Sequence, residues 1–252
     1  MSDSPSRTAL VTGAGSGIGR AVARALLAAG FGVTLVGRRE ALLEETAEQS
    51  AAPDRALVIA GDVTQAADVD RAFTAHRERF GRLDVLFNNA GRFGPSAHVG
   101  DLTPEDWAAT LAVNVTGAVL VAGAAFRMMA AQDPIGGRII NNGSIAAQTP
   151  RPLSVAYATT KHAIAGLTKS IELDGRPYRI TACELDIGNA DTGLVPTTDA
   201  GMLQADGTRR HEPQFEVEQL ARTVLHVAEL PLDVAVPQLT ITAAGMPYLG
   251  RG

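Results

Sequence analysis

The chain has 252 residues, 46% of them hydrophobic and 19% charged, with 26 glycines and a formal net charge of -5. This is the profile of a folded protein with enough apolar material for one α/β core, and its acidic balance argues against a nucleic-acid footprint, which would be basic. The single cysteine, Cys183, excludes an internal disulfide, and no Cys/His cluster has zinc spacing, so no metal site is expected.

In chain order, the first strand-like run is TALVTG from Thr8. IGRAVARALLAAG then sets Ile18, Val22, Ala25, Leu26 and Ala29 on one helical face, and Gly30 suits the helix end. The runs GVTLVG from Gly32, ALVIAGD from Ala56 and LDVLFNNAG from Leu83 are continuously apolar, as strands covered on both faces are. A long helix is predicted over TPEDWAATLAVNVTGAVLVAGAAFRMMAA, with Thr103 as N-cap, Pro104 in the first turn, and Glu105 and Asp106 at the positive dipole end. The strand run GRIINNGS from Gly137 and the helix PLSVAYATTKHAIAGLTKSIELDG, ending near Gly175, come next. YRITACEL from Tyr178 and PQLTIT from Pro237 complete the pattern. Seven strands alternating with about six helices predict an α/β, doubly wound parallel sheet with helices on both faces, within one domain over 1–252.

Between the last helices, 188–213 is irregular and reads as a lid over a substrate site. The apolar tail GMPYLGRG reads as part of a subunit interface. No secretory signal is visible at the N-terminus and no run approaches the ~18 apolar residues of a membrane span, so the expected location is the cytoplasm.

The turn after the first strand, LVTGAGSGIGR, carries Gly13, Gly15, Gly17 and Gly19 in the spacing T-G-x-x-x-G-x-G from Thr12. Glycines between a strand and a helix N-terminus let the backbone approach a pyrophosphate, which the unpaired N–H groups and helix dipole then favour. The second strand ends in Gly37, Arg38 and Arg39, where dinucleotide folds commonly place an acid for the ribose hydroxyls. An arginine there favours a 2′-phosphate, so Arg38 points to NADP(H), with NAD(H) the alternative.

The helix around SVAYATTKH holds a tyrosine and a lysine four residues apart, Tyr157 and Lys161, on one face. The chain has three tyrosines and two lysines, all its other basic residues being arginines. A phenol is a poor base at neutral pH, and a nearby ammonium favours its ionised form. Ser144, just after a strand, can donate a hydrogen bond to a substrate oxygen. Asn114 is a polar residue within an apolar helical stretch, which suggests a specific role.

The glycine pattern, NNAG at Asn88–Gly91, Asn114, Ser144 and Tyr157-x-x-x-Lys161 together resemble the short-chain dehydrogenase/reductase family in its single-domain form. The resemblance covers nearly the whole chain. It implies a Rossmann-like sheet and an oxidoreductase acting on a small-molecule ketone or secondary alcohol, with Tyr157 as acid/base, and a homotetramer or homodimer. By position, it puts Gly13, Ser16 and Ile18 at the pyrophosphate, Asp62 and Val63 at the adenine, and Asn89, Ala90 and Gly91 near the riboses. Ile187, Gly188 and Thr192 fall where the family contacts the nicotinamide carboxamide, Ile187 replacing a usual proline. Gly143 likewise stands where a serine is frequent. Lys161 would reach the ribose hydroxyls, and Asn114 would anchor a water linking Lys161 to solvent. A dinucleotide-binding regulator that has lost catalysis is the alternative from another functional class.

Overall fold

The computed structural model describes residues 7–193 and 201–248. In chain order the main elements are β1 (Thr8–Thr12), α1 (Gly17–Ala28), β2 (Gly32–Gly37), α2 (Glu40–Glu48), β3 (Ala56–Ala60), α3 (Ala66–Phe80) and β4 (Val85–Asn88). They continue with α4 (Pro104–Leu111), α5 (Ala118–Ala131), β5 (Gly137–Asn142), α6 (Val155–Asp174) and β6 (Ile180–Gly188). After four two-residue strands, β7 (Ala190–Asp191), β8 (Met202–Leu203), β9 (Arg209–Arg210) and β10 (Phe215–Glu216), come α7 (Val217–Glu229) and β11 (Gln238–Thr242).

Seven strands form one parallel sheet in the order β11-β6-β5-β4-β1-β2-β3. All seven predicted strands are present. The order reverses at β1, whose neighbours are β2 and β4, so the loops leaving β1 and β4 diverge and open a crevice at the carboxyl edge. Two apolar layers clamp the sheet. On one side Val22 and Leu26 of α1 and Leu220 and Val224 of α7 pack on Val11, Val33, Phe87 and Leu185. On the other, Phe73 of α3 and Val121, Ala125 and Met128 of α5 pack on Leu10, Leu86 and Ile139. The outermost strands depart from the expectation of cover on both faces: β3 is half-buried throughout, and β11 alternates between exposed and half-buried positions. A strand at a sheet edge has a helix layer over only part of its width.

The predicted long helix runs from Pro104 to Ala131, capped by the Thr103 side chain accepting from the Asp106 N–H at 3.1 Å. It is interrupted by a π-helical turn at Ala112–Gly117, between α4 and α5. Contrary to the sequence expectation, this 28-residue helix is long and apolar enough to cross a membrane, with a hydropathy of 1.8 in its most apolar window. Its buried face packs on the sheet as part of the core. The described part of the tail packs on its own chain. Met246 is buried against Ile145 and Ala243 of its own chain, and Tyr248 donates to Gln148 Oε1. The last residues, 249–252, and residues 194–200 of the expected lid lie outside the described residues.

His76 of α3 is fully buried between strands and loop. Its Nδ1 lies 2.7 Å from the Thr34 hydroxyl and its Nε2 2.8 Å from the Arg82 carbonyl. The neutral ring with its proton on Nε2 satisfies both, donating to the carbonyl and accepting from the hydroxyl. Burial lowers its pKa from 6.5 to about 4, against the opposing Arg82 carbonyl and Asp84 charge. The unfolded chain therefore binds a proton from pH 6.5 downward that the folded chain refuses until about 4. Stability should be level above that window and fall through it, by on the order of 3 kcal/mol in all. His76→Gln should flatten this limb, checked by urea midpoints measured across the window.

Candidate active site

The crevice begins at the loop after β1. Gly13 and Gly17 adopt positive φ values of 67° and 50°, open to glycine at little cost. A Cβ at Gly19 would lie 2.2 Å from the Gly13 carbonyl, so the turn closes only with glycine there. Ser16 sits at the N-cap of α1 with its side chain unused as a cap, and no acidic residue lies in the first turn. The helix N-terminus is thus open to an anion. Ile18 is half-buried beside it. Thr12 ties this loop to the next one: its Oγ1 accepts from the Asn89 and Ala90 N–H groups at 2.9 and 3.0 Å, and its carbonyl accepts from Asn89 Nδ2 at 2.9 Å. Asn89, Ala90 and Gly91 are thereby held alongside the glycine loop.

At the end of β2, Arg38 and Arg39 are both exposed, with no ion-pair or hydrogen-bond partner for either guanidinium among the described residues. Asp62 and Val63 follow β3 and line a small cavity with Leu10, Val36 and Asp68. Thr64 donates to Asp62 Oδ1 from both its N–H and its hydroxyl at 2.9 Å, which fixes the carboxylate.

Three elements supply Asn114, Ser144, Tyr157 and Lys161: the π turn, the turn after β5, and α6, which carries the last two. Asn114, buried in the π turn, spends its side chain on protein: Oδ1 accepts from the Arg92 N–H at 2.8 Å, and Nδ2 donates to the Arg92 carbonyl at 2.8 Å and Thr160 Oγ1 at 3.0 Å. It stitches the loop after β4 to α6. Ser144 leaves β5 as the cap of a short 3-10 turn, its Oγ accepting from the Ala146 N–H at 3.1 Å. The Ser144 side chain lies close enough to the Tyr157 hydroxyl to favour its ionised form. Phe93 lies against the Tyr157 ring, with centroids 5.0 Å apart, yet is 64% exposed, which makes it the apolar wall of the opening.

Burial raises the Tyr157 pKa; the Ser144 hydrogen bond opposes this and the Asp186 charge adds to it. Burial thus outweighs whatever the ammonium one turn away contributes toward phenolate. Lys161 Nζ donates to the Asn142 carbonyl at 2.6 Å and stands 5.5 Å from the centre of the Tyr157 ring. Burial brings Lys161 down to about 8, while Asp186 and Glu184 pull upward.

Ile187 packs into the apolar layer below the sheet, which accounts for a side chain where a proline was expected. Gly188 has no room for a Cβ, which would meet Ile145 and Met246 at 2.9 Å. Thr192 is half-buried nearby. The rim carries an ion pair between Arg151 and Glu212 at 2.5 Å. Asn189 and Gln204 donate to the same carboxylate at 2.7 and 2.9 Å.

Two buried acids at the floor were missed in the sequence. Glu184 and Asp186 lie two apart on β6, hence on one face, at 2% and 0% exposure. The signal was a pair of carboxylates inside an otherwise apolar strand, opposite a glycine.

A profile of the short chain dehydrogenase family matches residues 7–202. The chain belongs to that family. An uncharacterized oxidoreductase of Staphylococcus epidermidis is 32% identical over 235 residues, 93% of this chain and 96% of the relative. One from Staphylococcus aureus is 31% identical over the same shares. Among solved structures, a 3-ketoacyl-(acyl-carrier-protein) reductase from Brucella melitensis complexed with NADH aligns with a TM-score of 0.84 and 27% identity, over 95% of this chain and 98% of that one. An alcohol dehydrogenase from Thermococcus sibiricus complexed with 5-hydroxy-NADP aligns at 0.77 and 25%, over 94% and 97%. This short-chain dehydrogenase is therefore an oxidoreductase with a nucleotide-cofactor fold.

Within it, Gly143 has a local reason to lack the usual serine. A Cβ there would lie 2.6 Å from Asp186 Oδ1 and 2.9 Å from Glu184 Cγ. Gly143→Ala should therefore destabilise the fold by roughly 1–3 kcal/mol, the range of overpacking, as read by a lower urea midpoint with unchanged slope.

Proposed function

We propose that this oxidoreductase interconverts a small-molecule ketone and its secondary alcohol with NADP(H), Tyr157 serving as acid and base. The observation that carries the proposal is the meeting of buried Ser144 and Lys161 with half-buried Tyr157 in one cluster at the mouth of the crevice.

The residues present fit a dinucleotide. Glycines bare the backbone of the Gly13–Gly19 turn, where a Cβ at Gly19 would meet the Gly13 carbonyl at 2.2 Å, and the N-terminus of α1 is open. Gly13, Ser16 and Ile18 would hold the pyrophosphate, and Asn89, Ala90 and Gly91 would border the riboses. Ile187, Gly188 and Thr192 would border the nicotinamide, with Lys161 on its ribose. When bound, the nicotinamide supplies or takes up the hydride. Both NADH and an NADP derivative occur in related structures, so the choice here rests on Arg38. An exposed guanidinium without a carboxylate partner, at the end of β2, suits a 2′-phosphate and leaves nothing to repel it.

On the protein side, Ser144 would orient the substrate oxygen by donating a hydrogen bond to it. Tyr157, kept protonated by burial, would give its proton to that oxygen as the alcohol forms, and Lys161 would stabilise the phenolate left behind. A water beside Asn114, as the way out for the proton, belongs to the same reading. Phe93 would present an apolar surface to the substrate.

Tyr157→Phe should lower kcat on a panel of ketones by roughly 100-fold or more, with NADPH affinity by calorimetry unchanged. Undiminished turnover would sink the assignment, and tight cofactor binding with no turnover of any ketone or alcohol by the native protein would favour a silent regulator. Arg38→Ala should weaken NADPH about 10-fold or more, the worth of a charge-assisted hydrogen bond, and leave NADH unchanged. Native NADH binding tighter than NADPH would overturn the cofactor choice.

A further inference from the structure

Three consecutive residues at the end of β5 collect contacts from three directions. The Asn142 carbonyl accepts the Lys161 ammonium at 2.6 Å. Gly143 lies between the Glu184 and Asp186 side chains. The Ser144 N–H donates to Asp186 Oδ1 at 3.0 Å. The other Asp186 oxygen, Oδ2, accepts from Gln148 Nε2 and from Gln238 Nε2 of β11, each at 2.8 Å. Glu184 turns its carboxyl to Asp186 and leaves Oε1 buried without a partner. Glu184 therefore ionises less readily than a free carboxyl, because burial and the neighbouring Asp186 charge both oppose it. Two buried acids therefore border the same stretch of backbone, Asn142–Ser144, that receives the Lys161 ammonium.

We propose that Glu184 and Asp186 are the built-in counter-charge of Lys161, and that Asp186 is also the positioning residue for Ser144. A buried ammonium loses its proton unless an anion offsets the lost solvation. Lys161 has no carboxylate in contact, so the acids act on it from across the Asn142–Ser144 backbone. The neutral donors on Asp186 hold its charge in place: an N–H from Ser144 and two side-chain amides. Glu184 takes the proton when the pair shares one. Burial and Asp186 together raise Glu184 to about 7, against the opposing Lys169 and Lys161 charges, so the pair carries more negative charge as pH rises toward the midpoint of Lys161, at about 8. The other titratable groups facing this cluster are Tyr157 and Lys169 of α6, Cys183 of β6 and Arg138 of β5. Cys183, raised to about 12 mainly by burial, stays neutral throughout.

The inference rests on reading Tyr157 and Lys161 as the proton-transfer pair, but its test does not depend on turnover. With two lysines in the chain, isotope-labelled lysine gives two side-chain NMR titrations, assigned with the exposed Lys169 changed to arginine. Asp186→Asn keeps the size of the side chain and removes the charge, so Lys161 should titrate roughly one pKa unit lower. The pH profile of kcat/KM should move with it. Glu184→Gln should lower the Lys161 midpoint too, by less, since Asp186 remains. A Lys161 midpoint unmoved in Asp186→Asn overturns the proposal. Should that variant fail to fold, an unmoved midpoint in Glu184→Gln overturns it equally. Failure of Tyr157→Phe to lower turnover would strike the catalytic reading and leave the Lys161 titration as it stands.

Discussion

The hydrogen bond from Lys161 Nζ to the Asn142 carbonyl is the constraint on which the site depends. It fastens the first half of α6 to the carboxyl edge of β5, and α6 carries Tyr157 one turn before Lys161. The phenol is then fixed beside Ser144, which leaves the same strand two residues later. The parallel sheet makes this possible. Its strands all end on one edge, and the crevice at β1 and β4 opens on that edge beside β5. The Thr12 bonds to Asn89 and Ala90 and the Asn114 bonds to Arg92 and Thr160 extend the same lacing across the crevice, from the glycine loop to α6.

Burial sets the charge states of a site built this way. Burial works against every ion in it, raising Tyr157 and Glu184 and lowering Lys161. The three shifts are consistent: each favours the neutral form of its own group. For a proton-transfer site this places a protonated phenol and a readily deprotonated ammonium side by side, with their order of titration set by whatever negative charge lies nearby. In this chain that charge comes from β6.

How much of this was legible follows from the range of each signal. The glycine loop, the seven apolar runs and the Tyr157–Lys161 spacing are local patterns, and the fold places them as read. The Asn114 position was legible as an anomaly in an apolar helix, but the π turn around it was not, and its side-chain partners, Arg92 and Thr160, lie in distant segments. Glu184 and Asp186 were passed over within a run that looked apolar. Their partners, Ser144, Gln148 and Gln238, come from three distant segments, so no window of sequence contains the interaction. The glycine at 143 was noticed as a departure, and its explanation lay on the neighbouring strand. The tail is read as an interface segment from its apolarity, and part of that apolarity, Met246, is spent within the chain against Ile145.

The two buried carboxylates Glu184 and Glu212 show what decides the sign of such effects. Both are 2% exposed, one by residue and one by side chain. Burial pushes Glu212 upward too, but the hydrogen bonds and charge of Arg151, with Gln204 and Asn189, hold it down at about 2. Glu184 has no guanidinium in contact and faces another acid, so the same burial leaves it at about 7. The difference is one cation at hydrogen-bond distance. At the rim the ion pair ties the loop after Ser144 to the segment around β8 and β9, and removing either partner would strand a buried charge, which costs far more than never having built the pair. At the floor the absence of such a cation keeps a carboxyl that can change its charge near neutral pH. The rim is thereby held in one charge state while the floor can respond to pH, and Lys161 sits above the part that responds.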